Sequence, residues 1–258
     1  MTWAGEWGVE NSELLARRAQ SFGPEAAAYD EHRPDYPMAA VRWALEPVGG
    51  GGEALDLGAG TGKLTGVLHA AGVRVVAVEP DDGMRAALVR RHPETPAFAG
   101  TAESIPLPDD SVHAVLVGQA FHWFDQERAL PEIARVLRPG GVLAAFWNSP
   151  DTSVEWVAEL DRVSRSGASF TPVAEQRLPS HRAFQAFEQN EFPHTQRRNA
   201  ESLTATIGTH SHTLVIPPEE RAEVLARITA YLRGRTETAT GEFELPLRTQ
   251  VIRAVVRP

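Results

Sequence analysis

The chain has no cysteine. That excludes a disulfide framework and any cysteine-ligated metal centre. It has no apolar run near the roughly 20 residues of a membrane-spanning helix, so no membrane partner is expected. It has no Lys/Arg-rich run either. Its 25 basic residues are outnumbered by 34 acidic ones, for a formal net charge of −9. This is the reverse of the footprint left by proteins that grip a phosphate backbone, and no nucleic-acid partner is expected. The opening residues Met1-Thr2-Trp3-Ala4-Gly5-Glu6-Trp7 lack the basic-then-apolar pattern of a secretory signal, so a cytoplasmic location is expected. No repeat or low-complexity segment stands out. What remains is ordinary for a globular chain: 258 residues, 42% hydrophobic and 23% charged, enough for one large core or a core with a cap.

The most informative stretch runs from Glu53 to Thr65. Asp56 precedes three alternating glycines, Gly58, Gly60 and Gly62. A second acid, Glu79, ends the next apolar run, Val75 to Val78, one strand–helix–strand unit later. Glycine lets backbone approach a ligand closely and take φ values that a Cβ forbids, and an acid at the end of the second strand can reach ribose hydroxyls. The spacing narrows the nucleoside. A dinucleotide fingerprint G-x-G-x-x-G would put its last glycine at Lys63. A P-loop needs Ser or Thr after Gly-Lys and a glycine at position 57, but Leu64 and Leu57 stand there. Both phosphate-gripping readings, and with them a nucleotide-dependent oxidoreductase, are disfavoured.

The form D-x-G-x-G-x-G resembles motif I of the class I S-adenosylmethionine-dependent methyltransferases. Further segments resemble that family in the same order: Pro80-Asp81-Asp82-Gly83-Met84, the loop Gly100 to Ser111, the strand Val112 to Gly118 closing on Gln119-Ala120-Phe121-His122-Trp123-Phe124, and Glu132 to Leu143. Upstream, Phe22-Gly23 through Tyr29, Arg33-Pro34 and Tyr36-Pro37 is similar to the N-terminal lid of a small-molecule branch, the trans-aconitate and ubiquinone-biosynthesis methyltransferase-like enzymes. The resemblance implies S-adenosyl-L-methionine as cofactor, S-adenosyl-L-homocysteine as product, and a small-molecule acceptor. It places Gly58, Ala59 and Gly60 against the methionine half, Glu79 and Pro80 at the ribose, Met84 under the adenine, and Ala102 and Glu103 at the adenine edge. Gln119 and Ala120 fall where the fourth strand opens towards the sulfonium. Tyr29 and Arg33 belong to the lid, with Arg33 a partner for the cofactor's carboxylate.

The predicted fold class is α/β: a doubly wound, mostly parallel seven-stranded sheet, Rossmann-like, with lid helices and a helical cap. Strands are expected at 53–57, 74–79, 97–99, 112–118 and 141–147, with helices at 61–71, 82–91 and 126–137, since short apolar strands alternating with amphipathic helices imply a covered parallel sheet. Short helices are expected at 12–20, 25–31 and 38–45. Beyond Asn148 the rhythm breaks, and residues 151–165 and 180–190 read as helices. A strand near 192–198, helices near 200–207 and 217–233, and a final antiparallel strand near 242–257 complete the sheet. The expected domains are lid helices 1–48, cofactor-binding core 49–148, helical cap 149–190, and the C-terminal part of the sheet 191–258. Residues 1–11 read as a loose tail, whose Trp3 and Trp7 either dock on the body or on a second subunit or belong to a disordered start, and a monomer or homodimer is expected.

His122 is the catalytic candidate and also a cofactor neighbour, because it follows the fourth strand and a histidine can change charge near neutral pH. It could take a proton from the acceptor or only position the reactants. Trp123 and Phe124 would wall the substrate side. No metal is expected: His210 and His212 alternate without a carboxylate partner, and His181 and His194 read as pocket lining or surface. The resulting reading is O- or C-methylation of a small, specialised metabolite. N-methylation and a non-catalytic S-adenosylmethionine-binding protein are the alternatives.

Overall fold

The computed structural model describes residues 34–166, 178–209 and 211–257. The expected helices at 12–20 and 25–31, and Trp3, Trp7, Tyr29, Arg33 and His210, lie outside them.

Helix α1 (Met38–Leu45) enters the body and buries Ala40, Val41, Ala44 and Leu45. Then come β1 (Glu53–Leu57), α2 (Lys63–Ala70), β2 (Arg74–Val78), α3 (Asp82–Arg91), β3 (Ala97–Phe98), β4 (Val112–Gly118), α4 (Gln126–Val136) and β5 (Leu137–Pro150). Helix α5 (Glu155–Val163) precedes β6 (Glu188–Arg198). Helices α6 (Ala200–Gly208), α7 (Ser211–Leu214) and α8 (Pro218–Arg233) lead to β7 (Phe243–Val255). The seven strands form one sheet in the order β3-β2-β1-β4-β5-β7-β6. Neighbours pair in parallel except β7, which runs antiparallel to both β5 and β6. The mostly parallel Rossmann-like sheet matches the expectation.

Strands β1, β2, β4 and β5 are near-continuous apolar runs because helices cover both faces of a parallel sheet. One face packs Leu55, Leu57, Val115 and Val117 against Ile133 and Val136 of α4. The other packs Ala54, Leu116 and Phe146 against α1 and α2. Arg253 of β7 lies over the Trp43 ring, 4.0 Å from its centroid, donates to the Trp43 carbonyl, and pairs with Glu46 and Glu188. It thereby ties α1 to the antiparallel end of the sheet.

One expectation fails. Residues 180–190 are expected to be helical, but 181–184 form a turn and the chain beyond it is irregular until β6 begins at Glu188. Phe184 is 1% exposed and bridges Val256, Gln185 N–H donates to the Val255 carbonyl, and β6 has begun by Glu188. Pairing with the end of β7 and burial of Phe184 override the local helical preference. Helix α5 does form, and it packs with α6, α8 and the first half of β7 in a separate apolar cluster that includes Trp156, Leu160, Leu203, Ile228, Phe243 and Leu247. This layer adjoins the carboxyl end of β5, where Pro150 pairs with Leu247.

Candidate active site

The strand order reverses between β1 and β4, and ligands of such sheets bind outside the carboxyl ends at that switch. Here the two ends touch. A Cβ on Gly58, just past β1, would lie 2.8 Å from the Cβ of Ala120, just past β4. Gly58 has φ +69° and Gly60 φ +56°, conformations that a side chain strains. Only glycine leaves this gap open. A cavity of about 540 Å3 lies over it.

Glu79 stands at the end of β2, 6% exposed. Its carboxylate accepts from Gly60 N–H at 2.8 Å and from Asp81 N–H at 2.9 Å. Burial pushes its pKa up, and those two backbone donors oppose the rise. The acid of the second strand thus braces the glycine loop of the first. Asp81 also caps α3, accepting from Met84 N–H at 2.8 Å, which sets the Met84 side chain into the cavity wall. Asp56 is buried beneath the loop. Its Oδ2 accepts from the Thr65 hydroxyl at 2.6 Å, while Oδ1 has no hydrogen-bond partner among the described residues. Burial raises its pKa to about 7, partly countered by Thr65.

The third wall is the loop from Gly100 to Ser111, clamped by α4. Arg135 donates to the carbonyls of Ile105 and Leu107 and pairs with Asp109 at 2.8 Å, while Glu132 accepts from Ile105 N–H. Ala102 and Glu103 are so held at the cavity. The Glu103 carboxylate also accepts from Asp125 N–H at 2.9 Å, so one of its oxygens serves the start of α4.

At the end of β4, Gln119 has φ +58°, uncommon for a residue with a side chain. It is fixed by its N–H to the Phe146 carbonyl and by its side-chain amide to the Asn148 carbonyl, both 2.9 Å. His122 follows in a short 3-10 turn, Phe121–Trp123. Its ring lies 4.6 Å from the Trp123 ring, centroid to centroid. The ring is open to solvent at the cavity mouth, yet the groups crowded round it desolvate it and pull its pKa down to about 4. Solvent at the mouth works against so large a shift, but its direction keeps the imidazole neutral near pH 7.

The structure gathers Gly58, Ala59, Gly60, Glu79, Pro80, Met84, Ala102, Glu103, Gln119, Ala120, His122, Trp123 and Phe124 around one cavity. Tyr29 and Arg33 lie outside the described residues. Among the lining residues that sequence reasoning did not assign to the site are Tyr36 and Asn148. Tyr36 packs edge-on against Phe146, 5.6 Å between centroids, over Gly118. Asn148 reaches the Asp35 carbonyl at 3.3 Å and accepts from Thr249. The Tyr36-Pro37 pair carried a signal for the first; nothing local marked the second. Among the distant histidines, His194 lies 3.0 Å from the Thr249 hydroxyl, outside the cavity lining.

A glycine loop and an acid on adjacent strand ends of a doubly wound sheet define a nucleoside-binding α/β site. Residues 55–145 match the model of a methyltransferase domain. An uncharacterized methyltransferase of Mycobacterium bovis is 39% identical over 237 residues, covering 92% of this chain and 96% of the relative. A solved structure described as a type II methyltransferase from Anaeromyxobacter dehalogenans is 30% identical, with a TM-score of 0.68 over 87% of this chain and 97% of that one. The malonyl-[acyl-carrier protein] O-methyltransferase of Methylococcus capsulatus is 36% identical over 136 residues, 48% of each chain. The chain belongs to the class I S-adenosylmethionine-dependent methyltransferases.

Proposed function

We propose that the chain binds S-adenosyl-L-methionine in the cavity between β1, β2 and β4 and methylates a small molecule there, at oxygen or carbon. The observation that carries the reading is the opening at Gly58 and Gly60 with the buried Glu79 carboxylate beside it. The donor set fits a nucleoside with no phosphate. It offers the Glu79 carboxylate for ribose hydroxyls and an apolar Met84 for adenine. When bound, the cofactor supplies an electrophilic methyl group.

In this reading Gly58, Ala59 and Gly60 hold the methionine half through backbone, and Glu79 and Pro80 the ribose. Ala102 offers its N–H to the adenine edge, with the free oxygen of Glu103 beside it. Gln119 and Ala120 line the path to the acceptor, and Tyr29 and Arg33 close the lid over the carboxylate. Trp123 and Phe124 form the apolar acceptor wall. Holding donor and acceptor in line and excluding water is the main work. In this reading the segments 149–190 and 205–216 set the choice of acceptor.

For His122 we favour positioning over base catalysis. A base works best with a pKa near the working pH, and desolvation lowers that of the His122 imidazole, away from that range. A neutral ring can donate from one nitrogen and accept at the other, so it can orient an acceptor that needs no deprotonation before transfer. The name of the Methylococcus relative supports oxygen as the methylated atom. The test is turnover against a panel of carboxylates, phenols and indole-type carbons with labelled cofactor. Label in a small-molecule product supports the reading. Label found only in protein or nucleic acid contradicts it.

A further inference from the structure

Outside the cavity lining, three ligating side chains converge where α2, α3 and the approach to β3 meet. His69 lies in the last turn of α2, His92 directly follows α3, and Glu94 lies in the turn before β3. One ligand atom from each falls within 4.8 Å of the other two. His69 Nε2 is 3.4 Å from Glu94 Oε1 and 2.7 Å from the Thr95 hydroxyl. The two imidazole centroids are 5.7 Å apart. Both histidines are half-buried, and Glu94 is exposed.

We infer that His69, His92 and Glu94 form a binding site for a divalent first-row transition-metal ion such as zinc or nickel. Two imidazoles with one carboxylate are the nitrogen and oxygen donor set that suits these ions. Tetrahedral zinc with bonds near 2.0–2.1 Å sets its ligand atoms about 3.3 Å apart. The His69–Glu94 pair already has nearly that spacing, and side-chain rotation brings in the third atom. A solvent molecule completes the shell on the open side.

The site sits against the glycine loop. His92 Nε2 is 3.1 Å from the Gly62 carbonyl, and a Cβ on Gly62 would lie 2.8 Å from the His92 ring. Gly62 begins α2 and is the last glycine of the loop. An ion that fixes His92 therefore stiffens the turn through which the loop enters its helix.

The experiment uses the full chain without an affinity tag, stripped with a chelator and titrated with zinc chloride and then nickel chloride by calorimetry. One equivalent should bind, and the melting temperature should rise with metal, because an ion that binds only the folded state stabilises it. His69→Ala, His92→Ala and Glu94→Gln should each weaken binding by at least ~10-fold, since even loss of an outer-shell partner typically costs 10–100-fold. His181→Ala should leave it unchanged. Glu94 is exposed, so Glu94→Gln reads the site without risk to the fold. No saturable binding of either ion, or one equivalent retained at unchanged affinity in Glu94→Gln and His69→Ala, overturns the inference.

Discussion

The Asp56 carboxyl is buried beneath the loop with one oxygen unpartnered, and its pKa is raised from 3.8 to about 7. Between those values the folded chain holds a proton that the unfolded chain has released. Stability from this group is therefore complete below about pH 4 and falls as the pH rises towards 7. A shift of this size corresponds to up to about 4 kcal/mol. Asp56→Asn keeps an acceptor for Thr65 and removes the ionisation. Thermal melts from pH 4 to pH 8 should show the wild-type chain losing stability relative to the variant, and parallel profiles would count against a buried proton. His122 gives a second prediction at this scale. As a positioning group, His122→Asn should lower kcat less than ~10-fold and leave the pH profile unchanged. A drop of ~10²–10⁴-fold with a lost ionisation would restore the base role. The sequence could name both residues, because each sits at a fixed offset from a strand end. It could not show their protonation, which depends on neighbours brought in by folding.

The loop from Gly100 to Ser111 has little regular structure of its own, and α4 holds it through Arg135. The side chain makes two carbonyl contacts and one ion pair, to Asp109, across that boundary, and a second ion pair to Glu132 within α4. Arg135→Ala should cost about 1.5–3 kcal/mol, as for lost hydrogen bonds to a charged group, and should weaken cofactor binding by loosening Ala102 and Glu103. Denaturant melts and calorimetry check the two parts. A variant with wild-type stability and affinity would mean that the loop holds itself. Strands β1, β2 and β4 were legible because each is a short apolar run followed by an amphipathic helix. The segment 180–190 misled for the opposite reason. Its non-helical form depends on pairing with Val255 and Val256, at the far end of the chain. Asn148 was missed likewise, since only folding brings it to Gln119, Asp35 and Thr249. The convergence of His69, His92 and Glu94 was equally hidden, because their elements meet only once β2 and β3 pair beside β1.

At the scale of the molecule, a parallel half carries the pocket, and an antiparallel end carries the layer of α5, α6 and α8. The two are joined through β5 and β7 and so share one sheet. No helix among the described residues is long and apolar enough to cross a membrane. The central claim is that the gap between β1 and β4 receives a sulfonium nucleoside and that Glu79 recognises its ribose. Calorimetry with S-adenosyl-L-homocysteine, on the wild-type chain and on Glu79→Ala, tests it most directly. The account predicts one equivalent bound by the wild type and a loss of about 1.5–3 kcal/mol in the variant, the range for a hydrogen bond to a charged group. Tight binding of a nicotinamide dinucleotide with none of the homocysteine compound, or equal affinity in Glu79→Ala, would contradict it.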